Sequence, residues 1–196
     1  MSMSSIRSLC LYCGSRPGRR PVFAEAAQAF GTLCARGGIR LVYGGGSIGL
    51  MGVAARACLE GGGQVLGIIP DHLDHVEITM QGLSELRVVT SMHERKRQMF
   101  IESDGFVVLP GGIGTLDEFI EMTTWAQLGL HARPVLLVNI EGYWNPFLAL
   151  MAHIIDSGFA APATTGLYTV IDGVDDILPA LERFANGKVE ARPLLM

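Results

Sequence analysis

Residues 105–118 read Gly105-Phe106-Val107-Val108-Leu109-Pro110-Gly111-Gly112-Ile113-Gly114-Thr115-Leu116-Asp117-Glu118, a hydrophobic strand, a glycine turn and the start of a helix. The same pattern occurs earlier, where Arg40-Leu41-Val42-Tyr43 leads into Gly44-Gly45-Gly46-Ser47-Ile48-Gly49. A helix N-terminus exposes unpaired N–H groups and carries partial positive charge. Because glycines let the backbone approach an anion closely, both turns predict phosphate sites.

Short apolar segments alternate with helical patterns along the whole chain. The alternation predicts an α/β fold, with residues 1–196 as a single domain: a Rossmann-like doubly wound parallel sheet with helices on both faces. Apolar segments typical of buried parallel strands lie at 6–13, 39–43, 64–69, 105–109, 134–140 and 167–171, and 86–89 adds a short one. Helical patterns lie at 21–36, 48–61, 92–103, 115–129, 144–157 and 174–186.

The glycine turns lie at the ends of strands, and this position predicts that they share one binding crevice. Open α/β sheets bind ligands at the carboxyl ends of their strands, near the point where the strand order reverses. Both glycine turns follow strands, and the turn Gly14-Ser15-Arg16-Pro17-Gly18 follows the first strand. We therefore expect the three turns to converge.

The charge of the chain argues against one class of protein and for an oligomer. The 196 residues carry a net charge of −4, which argues against a general nucleic-acid binder because phosphate contacts need a basic surface. Charged residues make up 17% of the chain, below the roughly 25% of typical soluble domains. We therefore expect part of the surface to be covered in a homodimer or higher homo-oligomer.

No targeting or membrane signal is found in the sequence. No apolar segment reaches the ~18 residues of a membrane span, and the first residues lack a signal-peptide pattern. We therefore expect a cytoplasmic location and no membrane contact.

The cysteines and histidines predict no metal or redox centre. Cys10 and Cys13 have C-x-x-C spacing, but they lie along an apolar strand and no second ligand pair follows. Redox pairs, by contrast, open a helix. We expect all four cysteines to pack in the core and the histidines to have surface or structural roles.

The first glycine turn has two other interpretations. Gly44-x-Gly46-x-x-Gly49 matches a dinucleotide fingerprint, with Asp71 near the spacing expected for a ribose-binding carboxylate. A nicotinamide enzyme is disfavoured because the motif follows the second strand, the other turn competes for phosphate, and no substrate domain remains. Alternatively, these glycines only permit close packing of helix and sheet.

Glu118, after the second turn, has two interpretations of equal weight. If Thr115 caps the helix, Thr115-x-x-Glu118 is a capping box, and the carboxylate only satisfies a backbone N–H group. If phosphate binds at the turn, Glu118 lies within a few ångströms of the attached sugar and acts on it. Asp117 points about 100° away around the helix, so the two carboxylates cannot face one ligand squarely.

Residues 92–99, Met92-His93-Glu94-Arg95-Lys96-Arg97-Gln98-Met99, combine three cations with an apolar stripe. A solvated helix face is one interpretation. Arg95, however, lies on the same side as Met92 and Met99, and a cation beside a buried stripe needs an anionic partner. A phosphate or the Glu118 carboxylate would serve, and arginine suits bidentate contact with either.

Together these motifs resemble the Lonely Guy family, the cytokinin riboside 5′-monophosphate phosphoribohydrolases, many of which were once labelled lysine decarboxylases. The resemblance rests on residues 43–52, 92–96 and 110–118 and covers nearly the whole chain. It implies hydrolysis of the N-glycosidic bond of an adenine-type nucleoside 5′-monophosphate, which releases the free base and ribose 5-phosphate. It also implies a Rossmann-like fold, dimers or larger assemblies, no cofactor and no metal.

The resemblance also assigns residues. The family's catalytic arginine and glutamate fall on Arg95 and Glu118. Arg16 and Ile113 depart from plant members, which tend to have serine and tyrosine there, so the preferred base is open. The substrate-binding residues predicted from the turns and the resemblance are Gly14, Ser15, Gly45, Gly46, Ser47, Glu77, Met92, Arg95, Lys96, Gly111, Gly112, Ile113, Gly114, Thr115, Leu116, Asp117 and Thr123.

Two further functions compete with the hydrolase. A non-catalytic nucleotide carrier on the same fold would bind AMP and release no adenine. A pyridoxal-phosphate decarboxylase needs a Schiff-base lysine, and the chain has only Lys96 and Lys188.

Overall fold

The computed structural model describes residues 6–73 and 80–187, which are organised around one seven-stranded sheet. Its order is β4-β3-β2-β1-β5-β6-β7 with every neighbouring pair parallel, so the winding reverses at β1. This confirms the predicted doubly wound sheet. The strands are β1 (Ser8–Tyr12), β2 (Arg40–Tyr43), β3 (Val65–Pro70), β4 (Glu85–Val89), β5 (Gly105–Val108), β6 (Val135–Val138) and β7 (Thr169–Ile171).

Helices cover both faces of the sheet, as predicted. Those in the described ranges are α1 (Pro21–Arg36), α2 (Gly49–Glu60), α3 (Met92–Ile101), α4 (Ile113–Gln127), α5 (Asn145–Asp156) and α6 (Ile177–Ala185). Helices α1, α2 and α6 pack on one face, and α3, α4 and α5 pack on the other. None of the helices in these ranges is long and apolar enough to cross a membrane.

The strand β1 shows why two cores form. Successive side chains of a strand point to opposite faces. Leu9 and Leu11 belong to the core under α1 and α2, whereas Cys10 and Tyr12 belong to the core under α3 and α4. All four cysteines are buried free thiols, as predicted, and burial raises the pKa of Cys58 to about 11.

The start of α4 differs from the prediction. The sequence placed it at Thr115, but α4 begins at Ile113, with Gly112 as its N-cap residue in an extended conformation. The glycine turn therefore forms the first turn of the helix itself. Residues 174–176, predicted as part of the last helix, form a separate 3-10 turn before α6.

Candidate active site

Three turns meet where the winding of the sheet reverses, between β1 and β5. The Gly14 N–H group donates a hydrogen bond to the Pro110 carbonyl oxygen at 3.0 Å, and the Gly14 carbonyl oxygen accepts one from the Leu50 N–H group, also at 3.0 Å. Gly49, at φ +61°, lies so close to the first turn that a Cβ atom would be 2.2 Å from the Ser15 carbonyl carbon. The predicted convergence of the turns is confirmed.

The second glycine turn presents an open helix N-terminus. The N-cap residue of α4 is Gly112, which has no side chain to cap the helix, and a Cβ atom on Gly112 or Gly114 would meet nothing within 4 Å in the described part of the chain. Thr115 is the third residue of the helix and is 3% exposed. Because the N-cap is Gly112, the capping-box interpretation of Thr115 and Glu118 is wrong.

Glu118 lies in a cavity of about 260 Å³ beside this N-terminus. Arg95 of α3 reaches the same cavity, so one small space holds a cation, a carboxylate and the open end of a helix. We call it the Glu118 cavity; its lining residues are Cys13, Ser15, Met51, Leu73, Met92, Arg95, Gly112, Ile113, Gly114, Thr115, Asp117 and Glu118.

Backbone carbonyl groups hold Arg95 in place. Its side chain is almost fully buried, at 4% exposure, so the solvated-face interpretation is wrong for this residue. Its Nη2 atom donates to the Gly44 carbonyl oxygen at 2.8 Å, and its Nε atom donates to the Ile68 carbonyl oxygen at 3.2 Å. A Cβ atom on Gly44 would lie only 2.1 Å from Nη2. The first glycine turn therefore makes room for the arginine.

The negative charge of Glu118 contributes to raised pKa values of two groups at the carboxyl end of β1. Burial raises the pKa of the Cys13 thiol well above its usual range, and the nearby Glu118 charge raises it further. Burial likewise raises the pKa of Tyr12, with the same carboxylate among the contributing charges. Both groups therefore stay protonated, and of the two only Cys13 is among the residues that line the Glu118 cavity.

The side chain of Lys96 is paired with two carboxylates of α4, one of which, Asp117, lines the Glu118 cavity. Its Nζ atom lies 3.1 Å from Asp117 Oδ2 and 3.2 Å from Glu121 Oε1. Partial burial lowers the pKa of the Lys96 ammonium, but hydrogen bonds to the two carboxylates outweigh this effect and raise it above its usual value. An ammonium held in this way is a poor Schiff-base nucleophile, since that chemistry needs the neutral amine.

A larger cavity, of about 500 Å³, lies on the α1 and α2 side of the same turns. Phe23 and Tyr143 form an aromatic wall, and the Tyr143 hydroxyl donates to the Gly111 carbonyl oxygen at 2.6 Å. No Asp or Glu among the described residues lines it, so the acid–base groups belong to the smaller cavity. Its lining residues are Gly14, Ser15, Arg16, Pro17, Gly18, Phe23, Leu50, Pro110, Gly111, Gly112, Ile113 and Tyr143.

Most of the predicted site residues are brought together at these two cavities. Gly14 and Gly111 line the larger one, and Gly112 and Ile113 lie between the two. The predicted residues that line the Glu118 cavity are Ser15, Met92, Arg95, Gly112, Ile113, Gly114, Thr115, Asp117 and Glu118.

Other predicted residues lie elsewhere in the structure. Gly45 and Gly46 are buried within the first glycine turn, and the Ser47 carbonyl accepts a hydrogen bond from Arg56. Leu116 packs against the core, and the Thr123 hydroxyl donates to the carbonyl of Phe119 in its own helix. Glu77 falls outside the described residues.

Several lining residues were missed by the sequence reasoning. Cys13 directly follows β1 at the carboxyl edge of the sheet. The rule that ligands bind at the carboxyl ends of the strands could therefore have indicated it. Met51 follows the first glycine turn by two residues and carried a similar signal. Leu73 and Tyr143 reach the turns through tertiary folding, and no local pattern indicates them.

Fold and site together define a class: a Rossmann-like α/β protein in which an exposed, glycine-rich helix N-terminus lies beside a buried arginine and a carboxylate. A family model described as "Possible lysine decarboxylase" matches residues 51–181. The chain is 41% identical to the cytokinin riboside 5′-monophosphate phosphoribohydrolase LOG3 of Arabidopsis thaliana over 94% of this chain and 86% of that protein. It is 47% identical to the phosphoribohydrolase LOG of Oryza sativa subsp. japonica, over 81% of this chain and 65% of that protein. The chain belongs to this phosphoribohydrolase family.

A solved structure supports the fold independently. The molybdenum cofactor binding protein of Rippkaea orientalis superimposes with a TM-score of 0.70 at 18% identity, over 92% of this chain and 98% of that one. At this level of identity the similarity shows a shared fold alone.

Proposed function

We propose that this protein hydrolyses the N-glycosidic bond of an adenine-type nucleoside 5′-monophosphate, giving the free base and ribose 5-phosphate. The observation that carries the proposal is the position of Glu118, in one cavity with Arg95 and with the open N-terminus of its own helix. Membership of the phosphoribohydrolase family supports the same reaction.

The 5′-phosphate binds at the first turn of α4. The N–H groups at this end have no capping side chain, and a helix N-terminus favours an anion through its dipole and its free donors. The exposed glycines Gly112 and Gly114 leave the backbone accessible. A phosphate fixed there holds the ribose over the carboxylate one turn further along the helix.

Glu118 acts on the sugar. Cleavage passes through an oxocarbenium-like state, in which positive charge develops on the ribose while the C1′–N bond breaks and its electron pair leaves with the base. A carboxylate stabilises that cation, or takes a proton from the water that attacks C1′ on the face away from the base. The hydroxyl of the water is added to C1′, and the departing base takes up one proton and leaves as the neutral molecule. Holding the sugar by its phosphate contributes several kcal/mol by orientation.

Arg95 orients the substrate or the carboxylate. Its guanidinium is fixed by two backbone carbonyl groups, so it needs little rearrangement when substrate binds. Arginine is suited to bidentate contact with ribose hydroxyl or phosphate oxygens. The apolar side chains of Met51, Leu73 and Met92 in the same cavity give the flat base a surface to pack on, and Glu77 remains a proposed contact from the family resemblance.

Release of free base tests the proposal. We expect purified protein to liberate adenine from AMP, or isopentenyladenine from its riboside 5′-monophosphate, as followed by chromatography over a panel of nucleotides. The matching nucleosides, which lack the phosphate, should be turned over at least about 100-fold less efficiently because the orienting contact is lost. Tight AMP binding without base release would favour the carrier function, and equal turnover of nucleosides would contradict the phosphate site.

We also propose that the protein is a cytoplasmic homodimer. Helix α5 has an apolar sequence, yet none of its residues is fully buried in the described structure, and nearby Phe159 is 88% exposed. A second copy covering this surface accounts for the low content of charged residues. The four free thiols support the cytoplasmic location, because thiols stay reduced in that compartment. Light scattering after size exclusion should give twice the 21.0 kDa chain mass; a monomer at micromolar concentration would contradict the dimer.

A further inference from the structure

We propose that the larger cavity at the glycine turns is a second binding site, whose ligand is a small aromatic carboxylate. The inference goes beyond base release, because the arginine and the carboxylate that we assign to that reaction lie in the Glu118 cavity. The proposed phosphate turn borders both cavities, since Gly112 and Ile113 line each of them. A nucleotide whose sugar and base occupy the Glu118 cavity therefore leaves the larger cavity open.

The size and the walls of the larger cavity suit a flat apolar group. Its volume of about 500 Å³ lies within the roughly 300–1,000 Å³ that is usual for small-molecule pockets. The rings of Phe23 and Tyr143 meet edge to face, with centroids 5.4 Å apart and planes at 75°, and Leu50 adds an aliphatic wall. An aromatic ligand packs well on such walls, because aromatic pairs attract each other beyond the effect of the area they bury.

The aromatic wall is formed by contacts within the protein. Gly18, at φ +75°, lets the Phe23 ring approach the turn after β1, since a Cβ atom there would lie 2.8 Å from the ring. Arg20, just before α1, forms an ion pair with Glu141, two residues before Tyr143. This pair ties the segment that carries Tyr143 to the start of the helix that carries Phe23. A site formed in advance loses less binding free energy to the ordering of side chains.

A single cation determines the charge of the ligand. Of the side chains in residues 6–73 and 80–187 that line the cavity, only Arg16 is charged. The salt bridges between described residues do not include it. A guanidinium binds a carboxylate through two parallel hydrogen bonds, so the cavity favours an anion over a neutral molecule or a cation.

Arg16 is also one of the two positions at which the chain departs from plant members of the family. The structure places this residue beside the larger cavity and, within the described ranges, not among the residues that line the Glu118 cavity. The departure therefore changes the charge of the second site and leaves the groups around Glu118 as they are.

Calorimetry with 2-naphthoate tests the site. We expect one molecule to bind per chain with a dissociation constant on the order of 1 mM or below, the range that a ligand of this size reaches. The uncharged analogue 2-naphthamide should bind about three- to fivefold more weakly, the difference that an exposed ion pair makes. Added salt should reduce this difference because it screens the exposed charge.

Two pairs of variants assign the contacts. Arg16→Gln should weaken 2-naphthoate about three- to fivefold and leave 2-naphthamide unchanged. Arg19→Gln removes an exposed cation of the same segment that is not among the lining residues, and it should change neither. Tyr143→Leu should weaken both probes about 3- to 10-fold because the aromatic contact is lost, whereas Tyr143→Phe keeps the ring and should retain binding of both.

Competition shows whether the second site is separate. We expect 2-naphthoate to bind in the presence of saturating ribose 5-phosphate, with its dissociation constant changed less than about threefold. Complete displacement would place the probe in the Glu118 cavity and overturn the second site. An equal loss of both probes in Arg16→Gln, or no loss of either, would overturn the assignment of a carboxylate ligand.

The binding experiment does not depend on catalysis. Protein that binds 2-naphthoate as described but releases no base would defeat the hydrolase proposal alone. Active protein that shows no saturable binding of 2-naphthoate would defeat the second site alone.

Discussion

The two glycine turns have nearly the same sequence pattern, but the structure uses them in opposite ways. In the turn at residues 44–49 the missing side chains face inward: Gly44 makes room for a guanidinium, and Gly49 lies against the turn after β1. In the turn at residues 110–115, Gly112 and Gly114 face open space. Neither N-cap residue forms a side-chain cap. The N–H group of Leu50, at the start of α2, nevertheless donates to the Gly14 carbonyl of another turn.

The difference shows that a glycine-rich turn before a helix is only half of a phosphate site. The other half is an N-terminus whose donors are still available. Inward-facing glycines let other groups pack against the turn, and outward-facing glycines leave room for the proposed ligand. Substitutions at the first turn should therefore lower kcat and stability, whereas substitutions at the second turn should raise KM. The carboxylate next to the second turn should be the most sensitive position.

Glu118→Gln should have the largest effect, a loss of about 10³-fold in kcat, because carboxylate catalysis of this kind contributes roughly 10²- to 10⁴-fold. Binding of ribose 5-phosphate should change little, since the phosphate contacts remain. The matched control is Glu60→Gln, an exposed carboxylate at the end of α2, which should be neutral. Near-full turnover by Glu118→Gln would show that the carboxylate has no chemical role.

Gly44→Ala should come next. The new methyl group would overlap the Arg95 guanidinium, so the arginine must move from its two carbonyl partners. We expect kcat to fall about 100-fold and the melting temperature to drop. Gly166→Ala, at an exposed position where a Cβ atom meets nothing within 4 Å, controls for the general effect of the substitution. Unchanged kcat in Gly44→Ala would contradict the inward role of the first turn.

Gly114→Ala should show the converse behaviour. A methyl group here meets no protein atom, and alanine is favoured over glycine within a helix by roughly 0.5–1 kcal/mol, so the melting temperature should hold or rise. The same methyl group intrudes on a phosphate at the helix N-terminus, and KM should rise about 10-fold with kcat much less affected. An unchanged KM would place the phosphate elsewhere.

Tyr143→Phe should have the smallest effect of the four. The change removes the hydroxyl that donates to Gly111 and keeps the ring that packs on Phe23. A neutral hydrogen bond contributes on the order of 1 kcal/mol, so we expect KM to rise about fivefold. If kcat changed more than KM, the Tyr143 hydroxyl would take part in the chemical step, and its role would not be to hold the second glycine turn in place.

Local patterns in the sequence were sufficient for much of the fold. Apolar segments bounded by turn residues marked the inner strands, because parallel strands buried on both faces leave a continuous hydrophobic signal. The edge strand β4 is largely exposed, and only its short apolar segment at 86–89 indicated it. The start of α4 was misplaced because glycine is unfavourable in helices, which made Ile113 and Gly114 look like loop. The convergence of the three turns follows from the rule that ligands bind at the carboxyl ends of parallel strands.

The finer contacts of the site could not be predicted in this way. Arg95 and Gly44 are 51 positions apart, and their fit depends on how α3 crosses the carboxyl ends of β2 and β3. Lys96 is a substrate-binding residue by family resemblance, which stays a prediction, and its pairing with Asp117 and Glu121 follows from the packing of two helices. Such contacts are set by tertiary geometry, and a single sequence carries no periodic signal for them.

The uncapped start of α4 also couples binding to folding. A helix that lacks a cap is less stable at that end by roughly 0.5–2 kcal/mol, and a bound phosphate would supply the missing acceptors. Any ligand that binds only the folded state stabilises it, by about 2.7 kcal/mol at 100 times its dissociation constant. The product ribose 5-phosphate should therefore raise the melting temperature. Free adenine lacks the phosphate and should raise it less. The melting temperature thus measures how far the site is occupied.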